Sequence, residues 1–220
     1  MAKRVKAKRQ PGRAITVEEL RLLMAACGRG PAGMRNRAFL ALCYGAGLRC
    51  AEALALMPRQ IERRADGTLI QVLAGKGNKP RLVGIMPELL VPVETWLAER
   101  KRLGLTDRHP VVCGITKSTK ANSLGGSRNT FGKPISSPAM RLMIKRLATK
   151  AGIGGRVHVH GLRHGHATAL AAAGCELRAV SGQLGHSSTA TTDRYLAKLD
   201  PRHLLAAVRM PGQVVHQVET

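Results

Sequence analysis

The spacing of apolar residues near the start of the chain predicts two helices. Thr16 followed by Glu19 matches a capping box, and the apolar positions after it recur at helical spacing to about Ala26. Glycines within residues 28–33 predict an interruption of this helix. The apolar run AFLALCYG that follows predicts the second helix.

The next segments predict a short helix and then a β-hairpin. Gly47 ends the second helix and leads the chain to Arg49 at the start of a short third helix. Residues 68–73 and 81–85 have the composition of strands, and the glycines and Pro80 between them predict a turn. The result is a hairpin with a basic tip.

Helical spacing returns after Pro87, and the inner stripe of that helix contains Trp96, which we predict to be a core residue. Residues 114–133 are rich in Gly, Ser, Thr, Asn and Lys and predict a flexible loop. A helix starts at Ser137, and short helical patterns continue from there to about residue 208. The predicted fold is therefore mainly α with a small antiparallel β-sheet, an α+β domain.

The charge of the chain predicts a polyanionic partner. Thirty-six Lys and Arg residues against 13 Asp and Glu residues give a formal net charge of +23, a field that attracts nucleic acid and makes binding fall with salt. The stretch from Arg108 to Cys175 holds eleven Lys and Arg residues and no carboxylate, so we expect it to face phosphate. Net charge alone does not distinguish a DNA-acting enzyme from a basic protein that only binds nucleic acid.

Three basic segments are predicted to contact a phosphate backbone. Residues 1–14 contain six basic and no acidic residues and predict a disordered arm. The hairpin tip and the polar face of the helix after Ser137 are the other two. The expected contact residues are Lys3, Arg4, Lys79, Arg141 and Lys145.

Composition also predicts what is absent. No run of about 18 apolar residues and no secretory signal occurs, which predicts a soluble cytoplasmic protein. The five cysteines are dispersed without a CxxC pair, which indicates reduced and mostly buried thiols. Four histidines lie within residues 158–166, and that stretch contains no carboxylate, so we predict neither a metal site nor a cofactor.

Two segments in the first half of the chain contain candidate phosphate ligands. In GLRCAEALAL, Arg49 enters a helix with Glu52 three residues later, and a structural Arg–Glu pair is the alternative. In GKGNKPRLVGI, Lys76 and Lys79 lie on a glycine-containing turn. That turn is suited to phosphate but is equally compatible with a solvated hairpin tip.

Two further segments lie in the second half. HGLRHGHATAL places His160, Arg163 and His164 on one face of a helix start. An arginine can bind phosphate through two parallel N–H bonds while an imidazole transfers a proton, although a chance HxxR pair is the alternative. In QLGHSSTATTDRYLAKLD, His186 follows a glycine and Tyr195 comes nine residues later.

The chain contains two tyrosines, and only one is placed to react. Tyr44 lies in the apolar run AFLALCYG and is predicted to be a core residue. Tyr195 lies on a polar stretch beside Asp193, Arg194 and Lys198. Tyr195 is therefore the candidate nucleophile.

Taken together, the four segments resemble in order and spacing the catalytic motifs of the tyrosine recombinases, which include phage integrases and Xer-type resolvases. The resemblance covers about residues 15–200, and GKGNK and LGHSS followed by TT and Tyr are its most specific strings. Ala51 and Gln183 depart from residues common in the family, at positions not expected to touch the reacting phosphate. The catalytic residues that the resemblance implies are Arg49, Lys76, His160, Arg163, His186 and Tyr195.

The resemblance implies the DNA breaking-rejoining fold and a site-specific recombinase that works through a 3′-phosphotyrosyl intermediate without metal or ATP. The two arginines and His186 would bind the scissile phosphate, Lys76 would protonate the departing 5′ oxygen, and His160 would act as base or orienter. Double-stranded DNA, a homotetramer on DNA, a monomer when free, and accessory DNA-bending or directionality proteins are the implied partners.

We expect residues 15–208 to form the catalytic domain, between the arm and a tail over residues 209–220. Most family members carry a DNA-clamping domain ahead of it, so the chain resembles either the short recombinases that invert fimbrial promoter segments or a catalytic fragment. An apolar pattern after Asp200 predicts a last helix that packs on its own domain or on a neighbouring protomer. The alternative functions are a type IB topoisomerase-like enzyme and a non-catalytic DNA-binding regulator.

Overall fold

The first two helices begin where the local side chains dictate. In the computed structural model, which describes residues 13–73, 80–118 and 129–185, helix α1 spans Val17–Ala26. Reciprocal bonds between Thr16 and Glu19 confirm the predicted capping box. Helix α2 spans Pro31–Gly45. The predicted interruption is therefore too long, because a proline fits the first helical turn and starts α2 at Pro31.

Several predicted features lie outside the described residues. These are the first twelve residues of the basic arm, the hairpin turn over residues 74–79, residues 119–128 of the predicted loop, and all residues after 185, including the last helix and the tail.

The sheet has three antiparallel strands in the order β1–β2–β3. Strands β2 (Gly67–Val72) and β3 (Arg81–Gly84) form the predicted hairpin. Strand β1 (Ile61–Arg64) pairs with β2 and was not predicted. Its sequence, IERR, has one buried and three exposed residues, so it lacks the apolar alternation that indicates a strand.

Five more α-helices and a short 3₁₀-helix at Pro58–Gln60 complete the described fold. The short α3 follows Arg49, α4 follows the sheet, and the remaining three follow the segment over residues 103–136. The bounds are α3 Cys50–Ala55, α4 Pro87–Arg102, α5 Ser137–Lys150, α6 Val159–Ala172 and α7 Leu177–Leu184. None of the helices within the described ranges is long and apolar enough to cross a membrane.

The two described ends of the predicted loop over residues 114–133 are tied together. The N–H of Gly114 donates to the carbonyl of Lys133 and that of Thr130 to the carbonyl of Thr116, both at 2.9 Å. Cys113 and Pro134 form an isolated bridge beside them. The described ends of this segment form neither helix nor strand, as the composition predicts, and backbone hydrogen bonds hold them together.

Helix α2 forms the centre of the core and packs against α4 and α6. Its residues from Ala38 to Gly45 are all buried, as expected for a helix surrounded by other elements. Trp96 on α4 is fully buried, and its Nε1–H donates to the carbonyl of Val111 at 2.6 Å. This confirms Trp96 as a core residue.

Gln183 fixes α7 against the sheet. Its side chain is fully buried, accepts from the N–H of Gly84 at 3.0 Å and donates to the Gly84 carbonyl at 2.6 Å. A buried side-chain amide satisfied on both sides specifies one register between the two elements. Gln183, one of the two positions that depart from the family pattern, therefore holds the end of α7 beside β3.

Gly47 makes the turn between α2 and α3 and is expected to be sensitive to substitution. Its φ is +63°, and an added Cβ would lie 2.6 Å from Cδ2 of the buried His166. Gly47→Ala should lower the free energy of unfolding by about 2–4 kcal/mol, since backbone strain and overpacking add. Urea denaturation measures this loss.

Gly152→Ala is the matched control, because Gly152 has a φ of +67° and nothing within 4 Å of an added Cβ. It should cost only the backbone contribution, about 1 kcal/mol. Equal losses for the two variants would contradict close packing between Gly47 and His166.

Candidate active site

Arg163 lies at the centre of the candidate site, although its side chain is only 2% exposed. It lies on α6 and donates from one terminal nitrogen to the carbonyl of Gly47 at 2.6 Å and from the other to that of Leu184. A guanidinium has five N–H donors, so three remain for an anion after these two bonds among the described residues. Arg163 thereby joins α6 to the α2–α3 turn and to the end of α7.

The charge of Arg163 is held in an unfavourable environment. Burial, followed by the positive charges of Arg49 and Arg81, lowers its pKa to about 10. The side chain stays protonated at neutral pH. A buried cation surrounded by other cations is stabilised by any anion that enters beside it, so the site favours phosphate.

Arg49 is the N-terminal cap residue of α3 and is joined to the same region. One terminal nitrogen donates to Glu52 at 2.8 Å and the other to the carbonyl of Gly185 at 3.1 Å. The structural Arg49–Glu52 pair considered as the alternative is therefore present, and the same guanidinium also borders a cavity. The Arg49 guanidinium therefore pairs with Glu52 and also faces the cavity.

Glu52 is shared between two arginines. Both terminal nitrogens of Arg81 donate to its carboxylate, at 2.9 and 2.8 Å, and the backbone N–H of Arg49 adds a bond of 2.8 Å. Burial alone would raise the pKa of Glu52, but the Arg81 hydrogen bonds and then the Arg49 N–H outweigh it and hold the pKa at about 2. The carboxylate is ionised at neutral pH.

Gly185 closes α7 in the left-handed region, with φ of +59°. An added Cβ would lie 2.7 Å from Cδ of Arg81, so the backbone of this turn rests on the Arg81 side chain. The carbonyls of Leu184 and Gly185 accept from Arg163 and Arg49 respectively. The last turn of α7 is thus held by three arginines.

His160 lies at the exposed start of α6, with its ring centroid 4.3 Å from that of His164. Burial and then the positive charges of His164, Arg163 and Arg49 lower the pKa of His160 below its ordinary value of 6.5. A neutral imidazole at pH 7 can accept a proton. His160 and Arg163 border the same cavity, whereas His164 does not.

The candidate catalytic side chains Arg49, His160 and Arg163 surround a cavity of about 680 Å³. Ala51, which was expected to lie away from a reacting phosphate, also lines it. No Asp or Glu borders this cavity among the residues that the structure describes. The described wall is therefore suited to a phosphate group.

A second cavity of about 550 Å³ adjoins the first and contains further cations. Arg141, Arg156 and His158 line both cavities, and Lys145 lines the second. Within residues 13–73, 80–118 and 129–185, Arg141, Lys145 and Arg156 form neither ion pairs nor hydrogen bonds through their side chains. Together the two cavities form a groove along α5, termed the basic groove.

His166 lies beneath the site and is fully buried. Burial, acting against the Tyr44 backbone carbonyl, lowers its pKa to about 4. That carbonyl does not have hydrogen-bond geometry to the ring, and neither ring nitrogen has a partner among the described residues. His166 is therefore neutral at pH 7 and acts as a packing residue under Gly47.

The remaining predicted site residues lie outside the described residues. These are Lys3, Arg4, Lys76, Lys79, His186 and Tyr195. Two of them adjoin described neighbours in the chain: Lys79 precedes Pro80 and Arg81, and His186 follows Gly185. Within the described part of the chain, no three His, Cys, Asp or Glu side chains are grouped so that they could hold a metal ion.

Sequence reasoning missed Arg81, Arg156 and His158. Arg81 is the first residue of a strand, and nothing in the sequence pattern shows that it meets a helix residue 29 positions earlier. Arg156 belongs to the carboxylate-free stretch, which was the available signal for it.

Comparison with known proteins bears on the family and the fold. Residues 13–202 match the model of the phage integrase family. Tyrosine recombinase XerC of Bradyrhizobium diazoefficiens is 33% identical over 78% of this chain and 48% of its own, and XerC of Alcanivorax borkumensis is 35% identical over 79% and 51%. The chain therefore spans about half the length of these curated relatives.

Solved structures show the same fold. XerA recombinase aligns with a TM-score of 0.61 at 25% identity, covering 87% of this chain and 63% of its own. The lambda integrase catalytic core aligns with a TM-score of 0.55 at 17% identity, covering 80% of this chain and 96% of its own. The mainly helical domain with a small antiparallel sheet is thus the tyrosine recombinase catalytic-domain fold, and the chain belongs to the phage integrase family.

Proposed function

We propose that this protein is a site-specific DNA recombinase that cleaves and rejoins DNA through a 3′-phosphotyrosyl bond to Tyr195, without metal or ATP. The observation that supports it most is the convergence of Arg49, His160 and Arg163 on one cavity whose described wall lacks carboxylates. His186 adds support, because it directly follows the Gly185 carbonyl that accepts from Arg49.

In the proposed cleavage step the Tyr195 hydroxyl attacks phosphorus while the bond from phosphorus to the 5′ oxygen breaks. The phenolic proton passes to His160, and Lys76 gives a proton to the departing 5′ oxygen. Arg49, Arg163 and His186 stabilise the negative charge that grows on the non-bridging oxygens. Rejoining is the reverse reaction with another strand, so one phosphoester replaces another.

The proposed partner is double-stranded DNA, which the enzyme meets in the cytoplasm. We infer a monomer when free, a homotetramer on two DNA sites, and accessory proteins that bend DNA or set direction. Arg141 and Lys145 in the basic groove, with Lys79, Lys3 and Arg4 elsewhere on the chain, would contact the backbone on either side of the scissile phosphate.

The test is a covalent adduct. The protein is incubated in EDTA with a nicked suicide site, from which the cut strand diffuses away, and the mixture is resolved under denaturing conditions. An adduct that survives denaturation in EDTA is expected. Binding without any adduct would point instead to a non-catalytic regulator, and an adduct that requires added metal ions would contradict the proposed chemistry.

Reaction products separate recombination from topoisomerase-like rejoining. With two intact sites on distinguishable DNA fragments, we expect exchanged products. Relaxation of a supercoiled plasmid with the same strands rejoined, and no exchanged product, would identify a type IB topoisomerase-like enzyme.

The basic groove leads to a prediction about salt dependence. Arg156→Gln should weaken DNA binding and reduce the slope of log Kd against log salt concentration by about 1, since one phosphate contact is lost. Fluorescence anisotropy at several salt concentrations measures it. Arg146→Gln is the matched control, because Arg146 is exposed on α5 and borders neither cavity. An unchanged slope for Arg156→Gln would exclude the groove as the path of the backbone.

A further inference from the structure

Arg81 is engaged with the candidate site through two different contacts. Its side chain is 12% exposed at the start of β3, where it donates twice to Glu52 and lies against the backbone of Gly185. Its Nε is buried without a hydrogen-bond partner within the described chain. Burying an arginine with one donor unsatisfied costs stability, and the paired hydrogen bonds to Glu52 offset this cost.

We propose that Arg81 is a positioning residue that neutralises Glu52 and thereby leaves the charge of Arg49 available to the scissile phosphate. The inference rests on the proposed recombinase function. It assigns Arg81 no contact with DNA, since Arg81 borders neither cavity of the basic groove.

The hydrogen bonds at Glu52 support this role. An ionised carboxylate offers about four acceptor positions, and four donors occupy them here. Oε1 accepts from Arg49 and Arg81 at 2.8 and 2.9 Å, and Oε2 accepts from the Arg49 backbone N–H and from Arg81 at 2.8 Å each. Without Arg81, two of these positions would be open beside Arg49.

The charge balance gives the same conclusion. Arg49, Arg81 and Glu52 together carry one net positive charge, whereas Arg49 and Glu52 alone carry none. In a partly buried site, a carboxylate paired only with Arg49 competes directly with the phosphate for that guanidinium. Arg81 occupies the carboxylate and so keeps the phosphate-binding group cationic.

The contact between Arg81 and Gly185 suggests an alternative in which Arg81 has only a structural role. The test must distinguish this role from neutralisation of Glu52. If Arg81 only supported the end of α7, its loss would displace the carbonyls that orient Arg49 and Arg163, and the charge of Glu52 would not matter. A second substitution that removes this charge distinguishes the two explanations, because it corrects the electrostatics but not the packing.

The test compares single-turnover cleavage of a saturating suicide site by the native protein, Arg81→Gln, Glu52→Gln and the double variant. Arg81→Gln should slow cleavage about 100-fold with little change in DNA affinity, as expected when a stabilising interaction is weakened in the transition state. The double variant should regain at least about tenfold of this loss. A double variant as slow as Arg81→Gln would overturn the proposal.

Two further variants separate charge from folding. Arg81→Lys keeps the charge without the paired hydrogen bonds and should cleave within about tenfold of the native rate. A rate as low as that of Arg81→Gln would count against neutralisation. Arg63→Gln is the matched control, because Arg63 forms an equally short two-bond pair with Glu94 away from the site and should leave cleavage unchanged.

The dependence on pH provides a readout that a structural role would not change. Glu52 faces Arg49 on α3, Arg81 on β3 and Arg163 on α6, with the neutral thiol of Cys43 on α2 nearby. Loss of Arg81 removes the strongest hydrogen bonds that depress the Glu52 pKa, so Glu52 takes up a proton at higher pH. The ratio of the Arg81→Gln rate to the native rate should therefore rise as pH falls, and a constant ratio would contradict the proposal.

Binding of inorganic phosphate makes the two possible failures distinguishable. Phosphate in the cavity should raise the urea midpoint of the native protein and of Arg63→Gln more than that of Arg81→Gln, and the double variant should recover the difference. If this order holds but the native protein forms no DNA adduct, the recombinase function fails and the role of Arg81 stands. If the adduct forms but the order is absent, the role of Arg81 fails alone.

Discussion

The Arg163→Ala variant is expected to cleave DNA at least about a thousandfold more slowly than the native protein, while its DNA affinity falls by less than about tenfold. The guanidinium faces the cavity beside Arg49 and His160, where negative charge grows as the phosphate is attacked. An interaction that strengthens in the transition state affects the rate more than the binding. Single-turnover cleavage and fluorescence anisotropy measure the two effects separately.

The same substitution also has a cost for folding. Arg163 donates to the carbonyls of Gly47 and Leu184, and each carbonyl left without a donor costs about 1–3 kcal/mol. Arg100→Ala is the matched control, because Arg100 is also 2% exposed and donates to three carbonyls, those of Thr106, His109 and Pro110. Both variants should lose stability, and only Arg163→Ala should lose cleavage.

The Arg163→Ala and Arg100→Ala variants are assayed at a temperature at which circular dichroism shows both to be folded. Equal cleavage rates for the two variants would mean that Arg163 is a structural residue. Parallel losses of binding and cleavage in Arg163→Ala would make it an anchor for DNA instead of a group that stabilises the transition state.

Replacing Tyr195 by Phe should remove the covalent adduct completely while leaving DNA affinity within about twofold of the native value, since only the attacking oxygen is lost. A phenol with an ordinary pKa of about 10 is a weak nucleophile at neutral pH, so the reaction depends on the cationic site around the phosphate. The assay is the denaturing gel in EDTA described above.

Tyr44 provides the control. Its side chain is 3% exposed in α2, and burial, followed by the charge of Glu18, raises its pKa, so this phenol stays protonated inside the core. Tyr44→Phe should form adduct at the native rate. An adduct that persists in Tyr195→Phe and disappears in Tyr44→Phe would reverse the assignment of the nucleophile.

Local chemistry made several helix boundaries predictable. The Thr16–Glu19 box, the glycine turn after α2 and the serine–proline start of α5 each act within a few residues, and all three are present in the structure. Strand β1 was missed because it is polar and gains its place by pairing with β2. A strand that depends on its neighbour leaves little pattern in its own sequence.

The candidate site likewise has features that the local sequence predicts and features that only tertiary contacts create. Motif order identified Arg49, His160 and Arg163 because residue type and spacing within each segment are local properties. The role of Glu52 was only half visible: its pairing with Arg49 three residues away was foreseen, and its pairing with Arg81 was not. Arg81 reaches Glu52 only because the folded chain places the start of β3 beside α3 and the end of α7.

The sequence by itself determined the family, the sign of the charge and the identity of the candidate catalytic side chains. Only the tertiary structure decided how they are held: Arg163 reaches a carbonyl 116 residues away, and Arg49 reaches one 136 residues away. Such bonds form because packing of α2, α6 and α7 brings carbonyls at helix ends next to the buried guanidinium of Arg163 and the partly buried one of Arg49. No local sequence pattern predicts these hydrogen bonds, since they depend on the relative positions of three helices.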